Sequence, residues 1–200
     1  MNVSEAITSR RSLRRFDGRA VPEDTLRELV ALACAAPAPH HTRPWRFVLV
    51  RPETRERLTA AMTEAWRRDL EADGETPRRI QELVSRSRKR LLEAPALLLA
   101  GLSLEGARAW PDQRRRAAER DMFVQSLGAA LQNLSLAAWE RGIGSCVLGS
   151  PLFCQPAVRQ ALTLPPQVEP LFLVMLGYPP SEYEPPQRAA LRLEDFISER

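Results

Sequence analysis

The chain has 200 residues, of which 44% are hydrophobic and 27% charged, values typical of a folded globular protein and not of a disordered or fibrous one. The net charge is +4, but 29 basic residues are interleaved with 25 acidic ones, so the charge does not favour a nucleic-acid binder. The longest apolar runs, residues 96–102 and 171–176, are far shorter than the roughly 20 residues that span a bilayer, so we expect no membrane span.

The N-terminus and the cysteines bear on cellular location. The first residues lack the apolar segment of a secretory signal, and the three cysteines are an odd number. Both features favour a cytoplasmic protein with buried thiols over an exported, disulfide-stapled one. The length favours a single domain over residues 1–200.

The first half of the chain is predicted to contain helices around one stiff loop. Residues 3–11 are compatible with a short helix, and Pro22 opens a second helix with an apolar face. The segment APAPHHTRP, residues 36–44, cannot be helical because each proline fixes its own φ and restricts the residue before it. Residues 45–50 predict a strand and residues 52–70 a helix.

Residues 78–93 predict a helix that is heavily charged and has few apolar positions. Its arginines, among them Arg78 and Arg79, are expected to form a cationic cover over a pocket, although a solvated helix face is the alternative.

The second half is predicted to pair strands with one long helix. The run ALLLAGL, residues 96–102, predicts a buried strand, and residues 117–141 predict a central helix that Gly142 ends. A strand at 146–148, a short helix at 156–162 and a strand at 168–176 follow. Because helices and strands mix without regular alternation, we predict one three-layer domain of the α+β class.

Several common chemistries have no support in the sequence. The segment GIGSCVLG at 142–149 has Val147 where a dinucleotide fingerprint needs glycine, and no phosphate-binding P-loop or G-x-S-x-G motif is present. His40 and His41 are the only histidines, and their spacing does not suit a metal site. Cys146 is predicted to be a buried thiol and not a nucleophile.

The segment RRSLRRF, residues 10–16, places a serine hydroxyl among four arginines. Arginine binds phosphate oxygens in a bidentate manner and serine adds a further donor, so this cluster is suited to a phosphate group carried by a larger molecule. A solvated basic surface is the alternative when the segment is considered alone.

Four motifs taken in order resemble the nitroreductase family of FMN-dependent oxidoreductases: RRSLRRF, APAPHHTRPW, GIGSCVLGS and LGYPP. The resemblance covers essentially the whole chain. It implies a three-layer α/β/α domain with a mostly antiparallel sheet, and a homodimer with two FMN sites at the interface. The C-terminal tail, residues 181–200, would wrap around the partner chain.

The same resemblance implies a set of cofactor-binding residues. Arginine and serine side chains would bind the FMN phosphate, while Arg14 would lie beside the N1/O2 edge of the flavin ring, where reduction places negative charge. Because the flavin N5 carries the hydride, no side chain is expected to be catalytic in the redox step. The implied FMN-binding residues are Arg10, Arg11, Ser12, Leu13, Arg14, Ala38, Pro39, His41, Gly149 and Arg188.

Within the family, APAPHHTRP, WRRDLEADG at 66–74 and GSCVLGS closely resemble the C-terminal flavin domain of bacterial coenzyme F420:gamma-glutamyl ligase. The resemblance implies reduction of dehydro coenzyme F420-0 to coenzyme F420-0, a step in coenzyme F420 biosynthesis. Asp69 and Gly74 match positions that contact the deazaflavin in that domain. The alternatives are a broad NAD(P)H-dependent nitro or quinone reductase and a flavin-binding or deazaflavin-binding protein without catalysis.

Two features of the sequence independently favour a homodimer. The helical stripe between residues 123 and 138 and the apolar residues of the tail, such as Leu191 and Phe196, are more than a single 200-residue chain is expected to leave exposed.

Overall fold

The central sheet is antiparallel and has four strands in the order β1-β2-β4-β3. A computed structural model describes residues 1–200. The strands are β1 (Trp45–Leu49), β2 (Ala96–Ser103), β3 (Gly144–Leu148) and β4 (Val168–Gly177). The two central strands, β2 and β4, are almost wholly buried, as expected when both faces of a sheet are covered.

The chain has six helices: α1 (Val3–Ser9), α2 (Glu23–Ala33), α3 (Pro52–Ala72), α4 (Pro77–Leu92), α5 (Gln113–Glu140) and α6 (Gln155–Leu162). Helices α2 and α5 pack on one face, with Leu98 and Val174 of the sheet. The first part of α3 packs with α6 on the other face, with Leu99 and Leu173. Successive strand residues thus alternate between two cores, and the predicted three-layer α+β domain is confirmed.

Helix α4 lies outside these layers. It packs on the second half of α3 through a small cluster that includes Leu70, Ile80 and Val84. This pair of helices forms one wall of the cavity described below.

Helix α5 begins at Gln113, four residues before the predicted start. Asp112 caps it, since its carboxylate accepts a hydrogen bond from the Arg115 backbone N–H at 2.9 Å. At the other end Gly142, with φ +71°, follows the helix as predicted.

The apolar stripe of α5 is internal, which corrects one argument for a dimer. Phe123, Leu127 and Leu134 are fully buried against α2 and the sheet of the same chain. Because this stripe needs no partner, only the tail still supports the argument from exposed apolar surface.

The tail, residues 181–200, is docked only at its near end. The Arg11 side chain donates to the Pro186 carbonyl at 2.8 Å, and Arg188 donates to the Arg10 carbonyl at 2.7 Å. Farther along, Leu191 is 81% exposed and Phe196 is 71% exposed, so the expected docking of these residues does not occur within one chain.

Candidate functional site

The arginine-rich segment is attached to the edge of the sheet. Ser12 forms an isolated parallel bridge with Ser145 of β3, and the Leu13 N–H donates to the Ser145 carbonyl at 2.9 Å. Leu13 packs directly over Gly144, where an added Cβ would lie 2.2 Å from the leucine side chain. Glycine at 144 therefore lets residues 12–14 approach the strand.

Three arginine side chains lie together at this segment without an acidic partner. Arg10, Arg11 and Arg188 belong to two distant parts of the chain but lie together, and no carboxylate forms an ion pair with any of them. Burial, followed by the charges of Arg188 and Arg11, lowers the pKa of Arg10. An anion bound here would offset this mutual repulsion.

One buried polar atom of the cluster is unsatisfied. The Nε of Arg10 is buried and has no hydrogen-bond partner, a state that costs free energy unless a ligand supplies an acceptor. Ser12 and Arg14 line a separate hollow, whose lining includes Glu182 and Glu184 but not Arg10. The donor set suits a phosphate group, so these residues fit the expected cofactor phosphate.

Positive charge continues from this segment to the end of β3. Burial raises the pKa of the Cys146 thiol, and Arg14, Arg90 and Arg10 act in the opposite direction. Cys146 is 1% exposed, which agrees with its prediction as a packed thiol, whereas Cys34 is exposed and the prediction of a buried thiol is wrong there. Arg14 of the segment and Arg90 of α4 thus both place positive charge near this thiol.

A cavity of about 560 Å³ opens where β3 ends. Its walls come from α3, from α4 and from the connection between β3 and α6. The lining residues are Met62, Thr63, Trp66, Asp69, Asp73, Ser87, Arg90, Leu91, Leu148, Gly149, Ser150, Phe153 and Cys154. The cavity is large enough for a flat aromatic molecule, and its apolar and polar groups are mixed.

Of the two residues expected to contact substrate, only one lies in this cavity. Asp69 lines the wall formed by α3. Gly74 lies outside the lining, in the turn between α3 and α4, with φ +77° and open space around it. The left-handed backbone of that turn explains a glycine there without any contact to a ligand.

The expected cationic cover of the pocket is not formed. Arg78 and Arg79 both pair with Glu82, at 3.3 and 3.6 Å, and the side chain of Arg78 is 91% exposed. Arg88 pairs with Glu56. The only cation in the cavity lining is Arg90, which is half-buried and forms no ion pair or hydrogen bond.

The proline-rich loop is clamped onto α5. Residues Pro39–His41 form one 3₁₀ turn, in which the Thr42 hydroxyl donates to the Pro39 carbonyl at 2.7 Å. Ser126 donates to the Pro37 carbonyl at 2.7 Å, and the His40 ring contacts the Glu119 carboxylate at 2.9 Å.

Within one chain the two groups of expected FMN-binding residues are far apart. The arginine segment follows Ser9, which accepts a hydrogen bond from Trp139 at one end of α5, while the loop meets Ser126 and Glu119 toward the other end. The 13 to 20 residues between these contacts correspond to about 20–30 Å of helix. Ala38, Pro39 and His41 therefore do not join Arg10, Ser12, Arg14 and Arg188 in one chain, and Gly149 lies in the lining of the separate cavity.

Sequence reasoning missed two residues that the structure makes prominent. Glu119 lies four residues before Phe123, so a carboxylate occupies the buried stripe of α5, and that position is a detectable sign. Arg90 lies beside the buried Leu91, at the edge of the apolar face of α4. Nothing in the sequence alone distinguishes it from the other arginines of that helix.

None of the helices is both long and apolar enough to cross a membrane. No three His, Cys, Asp or Glu side chains lie close enough together to bind a metal ion.

Comparison with known sequences gives a consistent set of relatives. The model of the nitroreductase family matches residues 7–178. A Bacillus subtilis protein, YfhC, which carries the name NAD(P)H nitroreductase, is 28% identical over 95% of this chain and 91% of its own length. A protein of Thermus thermophilus named NADH dehydrogenase is 30% identical over 96% of this chain and 93% of its own length.

Solved structures show the same fold. A nitroreductase-like family protein from Bacillus cereus superposes with a TM-score of 0.77 at 24% identity, over 100% of this chain and 96% of its own. A nitroreductase-like protein from Desulfovibrio desulfuricans, solved in complex with FMN, superposes with a TM-score of 0.75 at 22% identity, over 100% of this chain and 98% of its own.

Proposed function

Because the chain belongs to the nitroreductase family, we propose that it is an FMN-dependent reductase whose arginine segment binds the cofactor phosphate. The observation that carries the proposal is the buried, unsatisfied Nε of Arg10 within a cluster of cations that has no acidic partner. Ser12 and Arg188 complete the phosphate site, and Arg11 and Leu13 contact the ribityl chain.

Bound FMN supplies a hydride from N5 of its reduced form. The protein contributes position and charge. Arg14 would stabilise the negative charge at the N1/O2 edge of the ring, and the backbone at Gly149, which lines the cavity, would contact the ring. With the ring at Gly149, the cavity would orient the second substrate and limit access of water.

A homodimer completes the site. The loop residues Ala38, Pro39 and His41 border the flavin of the other subunit, because within one chain they lie at the wrong end of α5. The exposed apolar side chains of the tail become buried against the second copy, as does Phe153 of the connection between β3 and α6, which is 83% exposed.

The proposed substrate is dehydro coenzyme F420-0. A hydride from reduced FMN would add to one carbon of its C=C bond and a proton from water to the other, which saturates the bond and oxidises the flavin. Asp69 lies in the cavity, at a position that the sequence resemblance assigns to deazaflavin contact. Arg90 is an unpaired, half-buried guanidinium in the same lining, and it suits an anionic substituent of the substrate.

A broad NAD(P)H-dependent nitro or quinone reductase is the second candidate. It is favoured by the charge of the cavity, in which Asp69 and Asp73 outnumber the single Arg90. It is also favoured by the names of the curated relatives, one an NAD(P)H nitroreductase and the other an NADH dehydrogenase.

Competing turnover measurements decide between the two. Purified protein with reduced FMN is assayed on dehydro coenzyme F420-0, menadione and nitrofurazone, first as the wild type and then as Arg90→Leu. Arg86→Leu, an exposed arginine one turn earlier on α4, is the matched control. We expect Arg90→Leu alone to raise KM for the deazaflavin precursor about ten-fold.

Each result assigns the function differently. Faster turnover of menadione or nitrofurazone than of the precursor, with no effect of Arg90→Leu, would replace the proposal by the broad reductase. FMN binding without turnover of any acceptor would indicate a non-catalytic flavin protein.

A further inference from the structure

Glu119 joins three separate parts of the chain through one carboxylate. It is 4% exposed and belongs to α5. It accepts hydrogen bonds from the Arg108 backbone N–H at 3.0 Å and from the Trp110 ring N–H at 3.2 Å, both in the connection that precedes α5. Its third partner is the His40 ring at 2.9 Å, 79 residues away in the proline-rich loop.

The loop residue that Glu119 contacts has an unusual backbone. His40 and His41 are consecutive and both have φ +54°, in the left-handed region. Thr163 is the only other non-glycine residue with positive φ. Side chains with a Cβ disfavour this region, so two neighbours there need contacts that stabilise them.

The contact between the His40 ring and the Glu119 carboxylate can stabilise this left-handed backbone. The Arg108 N–H, Trp110 and His40 all lower the pKa of Glu119, so the carboxylate is ionised at neutral pH and can accept from all three donors. The connection itself is braced where Arg115 stacks on Trp110, 4.7 Å from the ring centre. The histidine ring thus meets an acceptor that cannot easily move.

The neighbouring histidine is oriented as a consequence. His41 is exposed, and its ring has no hydrogen-bond partner in the chain. Its direction depends on the backbone that its neighbour adopts. A change at position 40 therefore alters what the loop presents to a bound molecule.

We propose that Glu119 is a positioning residue for the flavin loop, which acts through His40 to fix the left-handed backbone at residues 40 and 41 and so the direction of His41 toward FMN. This inference rests on the proposed function, in which the loop borders the flavin of the partner subunit.

Substitutions at position 40 separate backbone conformation from general stability. Glycine adopts positive φ readily and asparagine tolerates it, whereas alanine does not. We expect His40→Ala to weaken FMN binding at least about ten-fold, and His40→Gly and His40→Asn less than about three-fold. At φ +54° glycine also destabilises the fold less than alanine does, so the FMN affinities are compared with the thermal stabilities of the same variants, and a loss of affinity without a matching loss of stability supports a positioning role.

Substitution of Glu119 tests the other residue of this contact. Glu119→Gln should also weaken FMN binding at least about ten-fold. Glu169→Gln is the matched control, because Glu169 is a half-buried carboxylate that pairs with Arg120 and lies outside the loop. FMN affinity is measured by flavin fluorescence, and folding by thermal unfolding of the same samples.

The outcomes are separable. If the wild type binds no FMN, both the proposed function and this inference are wrong. A wild type that binds FMN, with His40→Ala, His40→Gly and Glu119→Gln all at wild-type affinity, overturns the inference alone. Equal losses in His40→Ala and His40→Gly also overturn it. If Glu119→Gln does not fold, the FMN affinities of His40→Ala and His40→Gly, at a surface position, decide whether the inference stands.

Discussion

The arginine segment, residues 10–14, and the proline-rich loop, residues 36–44, differ in how they are anchored. The first adds to the sheet through backbone hydrogen bonds to Ser145 and packs on Gly144. The second is held by hydrogen bonds to side chains of α5, toward the end of that helix that is far from the arginine segment. Two motifs expected to serve one flavin are thus built separately, and in the proposed function a second copy of the chain brings them together.

Charge reversal in the segment should give the largest effect. Arg10→Glu or Arg188→Glu replaces a charge-assisted contact with repulsion, so FMN binding should weaken by at least ~3 kcal/mol, about 150-fold. Titration with FMN measures this. Arg27→Glu makes the same charge change on exposed α2, where Arg27 pairs with Glu23, and should leave affinity unchanged. Wild-type affinity in both site variants would remove them from the site.

A change at the backbone junction should have a smaller effect on the same region. Gly144→Ala places a Cβ 2.2 Å from Leu13, which forces residues 12–14 away from β3. Overpacking of this kind costs about 1–3 kcal/mol of folding free energy. We expect a matching loss in chemical denaturation together with weaker FMN binding. Unchanged stability and affinity would show that the segment does not need its close contact with the strand.

The sequence predicted the local secondary structure and the arginine segment better than the contacts that anchor the proline-rich loop. Hydrophobic periodicity and turn residues place α2, α3 and β2 correctly, because local spacing determines these elements. The gathering of Arg10 with Arg188 follows from the motif resemblance.

The contacts that anchor the loop were not predictable in the same way. His40 meets Glu119 across 79 residues, and this meeting depends on how the loop packs on α5. The pairing of Arg78 and Arg79 with Glu82, in place of a cationic cover, depends on rotamers that a charge pattern does not specify.

A change in pH should have the smallest effect, and it tests only the carboxylate that anchors the proline-rich loop. The pKa of Glu119 is lower in the folded chain than its ordinary value, so its stabilising contribution is complete above that ordinary value and is lost as the pH falls through the folded value. The difference in Tm between wild type and Glu119→Gln should therefore shrink as the pH is lowered from 7 toward 3. Calorimetry at several pH values measures it, and a constant difference would contradict the assigned cause.

A mixing experiment with two defective chains tests the shared site most directly. One chain carries Arg10→Glu and the other carries Pro39→Asp with His41→Asp, and each should bind no FMN as a homodimer. After joint unfolding and refolding, random pairing gives one intact site in each mixed dimer, so about a quarter of the wild-type flavin content should return. If each flavin site lay within one chain, every site would carry a defect, and no flavin would be recovered.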